Sequence, residues 1–243
     1  MEQTDNFIML TANAGVLIKY HGKTILLDAL HDRYTDRFSS VPNDLLEQVS
    51  EGEGEFAHID VMAYTHDHPD HYSERWTRRF LKKHPDTELV SPIPDFAGRD
   101  HTHVLSAVEE HYYLNGIEIN AHKLVHDGAE YAGIPNYGFV FEIDGFRILT
   151  LGDGMFEKNG IAALRGGLEI DLALLNFPFI TLSRGREIVT QVIRPKEIIA
   201  NHLPYEEKDK EGYRRSTQMS IRRNTILPKT VMLEDKLQRI SIG

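Results

Sequence analysis

The segment Thr65-His66-Asp67-His68-Pro69-Asp70-His71 concentrates metal-ligating side chains as no other part of the 243-residue chain does. His66, His68, Asp70 and His71 follow directly on the apolar run 61–64 and directly precede a helix start. Alternate side chains of an extended segment point the same way, so His66 and His68 can reach one ion. The turn at Pro69 can aim Asp70 and His71 at a second position. Imidazole nitrogen and carboxylate oxygen suit Zn²⁺, and also Mn²⁺ or Fe²⁺. A strand that ends in a tight loop supplies the rigid base such a cluster needs.

The elements that must hold this loop are legible as short apolar runs. Residues 7–10, 15–20 and 23–28 read as strands, the last two joined by His21-Gly22. Asn115-Gly116 and Asp144-Gly145 are further hairpin signals, flanked by strands 117–125, 138–143 and 146–151. Runs 59–64, 172–176 and 197–200 suit buried strands. Ser73 can cap a helix over 74–83, stopped by His84-Pro85. Further helices are expected over 43–49, 186–193 and 208–222, with two short strands in 230–242. The stretch 50–55, Ser-Glu-Gly-Glu-Gly-Glu, reads as a polar, flexible loop. Strands first and helices interspersed later suggest sheets covered by helices.

The spacing of His66, His68, Asp70 and His71 resembles the His-x-His-x-Asp-His signature of the metallo-β-lactamase fold superfamily, without departure. That resemblance implies an α/β fold, a four-layer αββα sandwich of two mixed sheets flanked by helices, as a single domain over 1–243. It also implies three more ligands in order. His126 follows strand 117–125, Asp153 follows strand 146–151 in Leu151-Gly152-Asp153-Gly154, and His202 follows 198–201. By the same resemblance His66, His68 and His126 would hold a first metal, Asp70, His71 and His202 a second, and Asp153 would bridge them. The implied cofactors are two divalent ions, Zn²⁺ foremost with Mn²⁺ or Fe²⁺ as alternatives, which together activate a water. Asp70, besides binding metal, would be catalytic: it would accept a hydrogen bond from that water and carry a proton to the leaving group. Asp28 matches the Asp that closes an early family strand; it either orients ligands or simply ends a strand. His68 stands where the flavodiiron branch has a carboxylate, and the Cys ligand of some β-lactamases is missing. Both features favour hydrolysis over oxygen reduction. The spacing of the later pieces resembles the compact branch that includes ascorbate-6-phosphate lactonase.

Composition narrows the partners. With 27 Lys plus Arg against 37 Asp plus Glu, the net charge is −10, which argues against broad binding to a nucleic-acid backbone. The absence of cysteine excludes disulfides, thiolate metal sites and a Cys nucleophile. The first six residues carry no basic, apolar leader signature, and the apolar run 170–180 is too short to span a bilayer, so a cytoplasmic protein without membrane attachment is expected. The leading expectation is hydrolysis of a small ester, lactone or phosphoester, with an anionic substrate and a homo-oligomer left open. A nuclease of the same superfamily and a catalytically inactive metal-binding relative are the alternatives. Among other side chains, Arg184 and Arg186 read first as a solvated turn, with phosphate or carboxylate capture as the alternative. His31 reads as a surface residue rather than one facing the cleft. The pairs Arg214-Arg215 and Arg222-Arg223 read as a solvated helix face, and Asn136 and Tyr137 are further candidates near the site.

Overall fold

A computed structural model describes residues 6–33 and 37–243; the leader reading therefore lies, except for Asn6, outside the described residues. In chain order the strands are β1 (Phe7–Ala12), β2 (Gly15–Tyr20), β3 (Lys23–Leu27), β4 (Val61–Ala63), β5 (Glu88–Ser91), β6 (Thr102–Val104), β7 (Glu109–Leu114), β8 (Ile117–Leu124), β9 (Asn136–Ile143), β10 (Phe146–Thr150), β11 (Leu172–Asn176), β12 (Glu197–Asn201), β13 (Lys229–Met232) and β14 (Arg239–Ser241). The α-helices are α1 (Asn43–Glu51), α2 (Glu74–Lys83), α3 (Lys158–Arg165), α4 (Pro178–Thr181), α5 (Ser183–Ile188) and α6 (Tyr213–Arg223).

These strands form two mixed seven-stranded sheets, ordered β14-β1-β2-β3-β4-β5-β6 and β13-β12-β11-β10-β9-β8-β7. The side-chain period of two explains how they stack. Phe139, Phe141, Ile143, Leu172, Leu174 and Ile199 join the first sheet's residues in one buried cluster. Their neighbours Val140, Ala173, Leu175, Ile198 and Ala200 face the other way, into a second cluster shared with α3, α4 and α5. Leu45, Leu46 and Val49 of α1, with Trp76, Phe80 and Leu81 of α2, pack into the first cluster. The result is the expected helix-flanked α/β sandwich.

Local chemistry accounts for the turns. His21-Gly22, Asn115-Gly116 and Asp144-Gly145 each place both central residues at positive φ, the two-residue geometry that matches strand twist. Other expectations need correction. The stretch 50–55 is not a free loop: Ser50 is buried at the end of α1, and Gly54–Phe56 forms a 3-10 turn. Ser73 occupies the N-cap of α2 without donating or accepting a side-chain cap bond. The helix expected from 208 starts only at Tyr213, because the Asp209 carboxylate accepts from the Tyr213 and Arg214 amides (2.8 and 3.0 Å) and fixes the first turn there. The 186–193 helix is α5 running into a π-helical turn, Val189–Ile193. β5, β6 and α3 escaped notice. β5 and β6 are too short to carry a period, and α3 contains Gly160 and is capped by Glu157, whose carboxylate accepts from the Asn159 and Gly160 amides. No described helix is long and apolar enough to cross a membrane.

Candidate metal centre

The parallel ladders β3-β4-β5-β6 and β10-β11-β12-β13 bring several strand ends to one rim of the sandwich, the usual place for a site in such sheets. Beyond β4 the chain turns tightly, with the His71 and Tyr72 amides both donating to the His68 carbonyl (2.9 and 2.8 Å). The loops after β8 and β10 are locked together. His126 pairs with Gly154 in an isolated bridge, and the Asp127 amide donates to the Asp153 carbonyl (2.8 Å). After β12, His202 takes a left-handed backbone (φ 59°) and its amide donates to the Asn13 carbonyl (2.9 Å). A non-glycine residue held in that region costs free energy and is found where a side chain must be aimed.

The structure thus brings all seven sequence candidates together. Ligand atoms of His66, His68, His126 and Asp153 lie within 4.8 Å of one another, as do those of Asp70, His71 and His202. The Asp153 carboxylate stands between the groups. Its Oδ2 is 3.7 Å from His66 Nε2 and 4.0 Å from His126 Nε2. Its Oδ1 is 3.4 Å from His71 Nε2 and 3.6 Å from His202 Nε2. His202 Nε2 is also 3.6 Å from Asp70 Oδ2.

What lies behind the rings decides which nitrogen faces inward. Thr65 Oγ1 donates to Asp28 Oδ2 (2.7 Å) and so must accept from His66 Nδ1 (2.9 Å). His71 Nδ1 donates to the same Asp28 oxygen (3.0 Å), and His126 Nδ1 to the Asp127 carbonyl (2.6 Å). Each of these rings therefore turns Nε2 towards the centre. Asp28 also accepts from the Thr65 amide (2.8 Å), so it is an orienting residue and not merely a strand end.

Those donors fit a pair of divalent cations. His66 Nε2 and His126 Nε2 are buried without a hydrogen-bond partner, a cost that coordination would remove. His71 Nε2 and His202 Nε2 sit 3.1 Å apart, which requires a proton or a cation between them. Although burial works against charge on His71, Asp153 and Asp28 hold it protonated well above the usual histidine range. Burial alone would raise the Asp153 carboxyl, but His71, His202 and His66 pull it well below the carboxylate range. Burial, then His71, pushes His66 well down.

These directions fix a pH signature for the metal-free protein. His71 stabilises the fold below about pH 6.5 and loses that contribution as pH rises through its folded value. His66, and His31 at about 4, resist protonation and weaken the fold as pH falls below about 6.5. The thermal midpoint in chelator is expected to peak near neutrality and to fall on both sides; a monotonic profile across pH 5 to 9 would contradict this balance.

Three positioning residues surround the ligands, of which only Asn136 was a candidate from the sequence. Asn176, at the end of β11, donates from Nδ2 to Asp153 Oδ1 (2.7 Å) and to the Gly152 carbonyl (3.0 Å). A polar residue ending a buried parallel strand was the available signal. Asn136 Oδ1 accepts from the Asp153 amide (3.0 Å) while its Nδ2 donates to the Leu151 carbonyl (3.1 Å). Thr65 acts through Asp28 and His66 as described. Gly152 permits the close approach: at φ 54° a Cβ there would lie 2.5 Å from Asn136 Oδ1 and 2.7 Å from Thr65 Cβ. G152A is expected to cost about 1–3 kcal/mol through overpacking, read as a lowered denaturant midpoint at unchanged slope.

Other candidates lie outside the two groups. His31 is fully buried, not on the surface, with Nε2 3.4 Å from the Ala12 carbonyl, and it interacts electrostatically with His71, Asp70 and His202, so it sits beside the second group. Tyr137 is buried and donates to the Ala107 carbonyl (2.6 Å), away from the site. Arg184 is exposed on α5, and Arg186 donates to the Ile180 and Thr181 carbonyls (3.0 and 2.7 Å). Arg214 pairs with Glu234 and Asp235. A cavity of about 600 Å³ opens over the centre, walled by Phe38, Tyr131, Phe177 and Tyr213 among others.

Solved structures share this architecture. A possible metal-dependent hydrolase from Veillonella parvula DSM 2008 is 17% identical, with a TM-score of 0.71 over 98% of this chain and 100% of that one. An isothiocyanate hydrolase from Delia radicum gut bacteria is 17% identical, with a TM-score of 0.64 over 97% and 99%. CmlA, a diiron β-hydroxylase from Streptomyces venezuelae, is 14% identical, with a TM-score of 0.62 over 98% of this chain, which spans only 54% of that protein. No curated protein matches the sequence. The model of the Beta-lactamase superfamily domain matches residues 8–202, a stretch that begins in β1 and ends on the last of the seven clustered side chains. The chain therefore belongs to the metallo-β-lactamase superfamily.

Proposed function

We propose that this protein is a metal-dependent hydrolase of a small ester, lactone or phosphoester. The observation that carries the reading is the Asp153 carboxylate, whose two oxygens each face a separate group of buried imidazoles. His66, His68 and His126 would hold one ion, Asp70, His71 and His202 the other, and Asp153 would be shared. Donors of nitrogen and oxygen without thiolate accept Zn²⁺, Mn²⁺ or Fe²⁺, and zinc is the first choice for a tetrahedral imidazole-rich set. When bound, such ions supply a water of lowered pKa and polarise the substrate's oxygen.

The chain's own groups perform the rest. Asp70 lines the cavity and is only 5% exposed. It would take a proton from the attacking water and return it to the leaving group. Asp28, Thr65 and the Asp127 carbonyl fix the imidazoles, so little reorganisation accompanies the reaction. Asn176 holds the shared carboxylate in place. The cavity volume suits a small molecule, and with a net charge of −10 it favours this reading over a nuclease.

A panel of aryl and alkyl esters, lactones and phosphoesters tests it. Hydrolysis of at least one class is expected to disappear in a chelator and to return with added Zn²⁺ or Mn²⁺. Turnover unaffected by metal removal would refute the reading.

A further inference from the structure

The walls of the cavity are aromatic on both flanks of the ligand cluster. On the side of the second group, Phe38 meets the His202 ring edge-on at 4.3 Å and 87°. Beside it Phe177 and Tyr213 stack at 4.6 Å and 28°. On the side of the first group, Tyr131 contacts the rings of His68 at 4.8 Å and His126 at 5.3 Å. Phe38, Phe177 and Tyr213 are half-buried and Tyr131 is 40% exposed, so ring faces remain open to an occupant. Apolar rings left open in a concave site mark binding surface rather than core.

Charge points the same way. Asp127 and Glu130 are exposed at the cavity wall, and Arg37 is the one Lys or Arg among its described lining residues. The proposed ions would meet only the reacting oxygens, the rest of a phosphoryl group's charge is normally met by further cationic or amide donors, and neither Arg184 nor Arg186 is among the lining residues.

We propose that the cavity seats an uncharged aromatic group of the substrate between Tyr131 and the Phe177–Tyr213 pair, making the substrate an aromatic carboxylic ester or lactone rather than a phosphoester. Aromatic faces prefer offset or edge-on partners, which this arrangement offers on either side. The inference rests on the metal-dependent hydrolase reading and narrows it.

Two hydroxamates separate the proposals, because both present the same metal-chelating group and differ only in what fills the cavity. In calorimetric titration of the Zn²⁺-loaded protein, benzohydroxamate is expected to bind about tenfold more tightly than acetohydroxamate, the scale of one or two ring contacts. Y213L and, independently, F177L or Y131L are expected to move that ratio towards one. Circular dichroism would show whether each variant is folded, and the three substitutions at partly exposed sites guard against loss of any one. Equal affinities in the unaltered protein, or a ratio unchanged in all three folded variants, would overturn the aromatic seat alone. Failure of both hydroxamates to bind would overturn the metal-centre reading and this inference with it. A 4-carboxybenzohydroxamate is expected to bind several-fold more weakly than benzohydroxamate; tighter binding would overturn the preference for an uncharged group.

Discussion

D153A is expected to lower kcat/KM by at least about 10³-fold, beyond the 10²–10³ typical of deleting a single stabilising donor. The reason is geometric. Among the described side chains the Asp153 carboxylate is the one with an oxygen near imidazoles of both groups, so on the proposed reading its loss would take a ligand from each ion and would leave neighbouring positive charges unscreened. Bound metal measured by elemental analysis should drop in parallel, while H68A, with its half-buried ring in the first group alone, should spare the second ion. Retention of both ions and full turnover in D153A would show that the two groups do not share this carboxylate.

The second large effect belongs to a residue that touches no substrate. D28A is expected to weaken metal affinity about 10–100-fold, the usual consequence of removing a group that orients a ligand. It should also destabilise the metal-free fold by about 3–5 kcal/mol, as when one member of a buried charged pair is removed. Asp28 accepts from the Thr65 amide, the Thr65 hydroxyl and His71 Nδ1; truncation orphans all three in a region where His66 and His71 are fully buried. Metal titration followed by competition with a coloured chelator reads the first effect, and urea unfolding with chelator present reads the second. D28N keeps the shape and one acceptor, so it should recover most of the stability but less of the affinity. If D28A bound metal as tightly as the unaltered chain, Asp28 would be only a strand end.

Much of this was written locally. The His66–His71 turn is legible because four ligating side chains crowd one short loop after a buried strand, and few structural demands produce that pattern. Hairpins announced by Asn-Gly, Asp-Gly and His-Gly were equally plain, since those pairs tolerate the left-handed backbone that a tight turn imposes. His126, Asp153 and His202 have no such signature. Each is a single polar residue at a strand end, and only the family resemblance selected them. Asn136 stood out only as a polar residue near the site, Asn176 only as a polar end to a buried strand, and the aromatic walls gave no local sign.

The amino-acid sequence alone thus determined the ligand-bearing turn, the turn chemistry and the two-residue alternation that makes two stacked sheets. Only the tertiary structure decided that the ends of β4, β8, β10 and β12 meet, that Asp153 turns one oxygen to each group, that His31 lies inside, and that Tyr131, Phe177 and Tyr213 line one cavity. Local patterns arise from backbone geometry within a few residues, whereas convergence depends on which strands pair across more than a hundred, and that is set by the packing of the whole core.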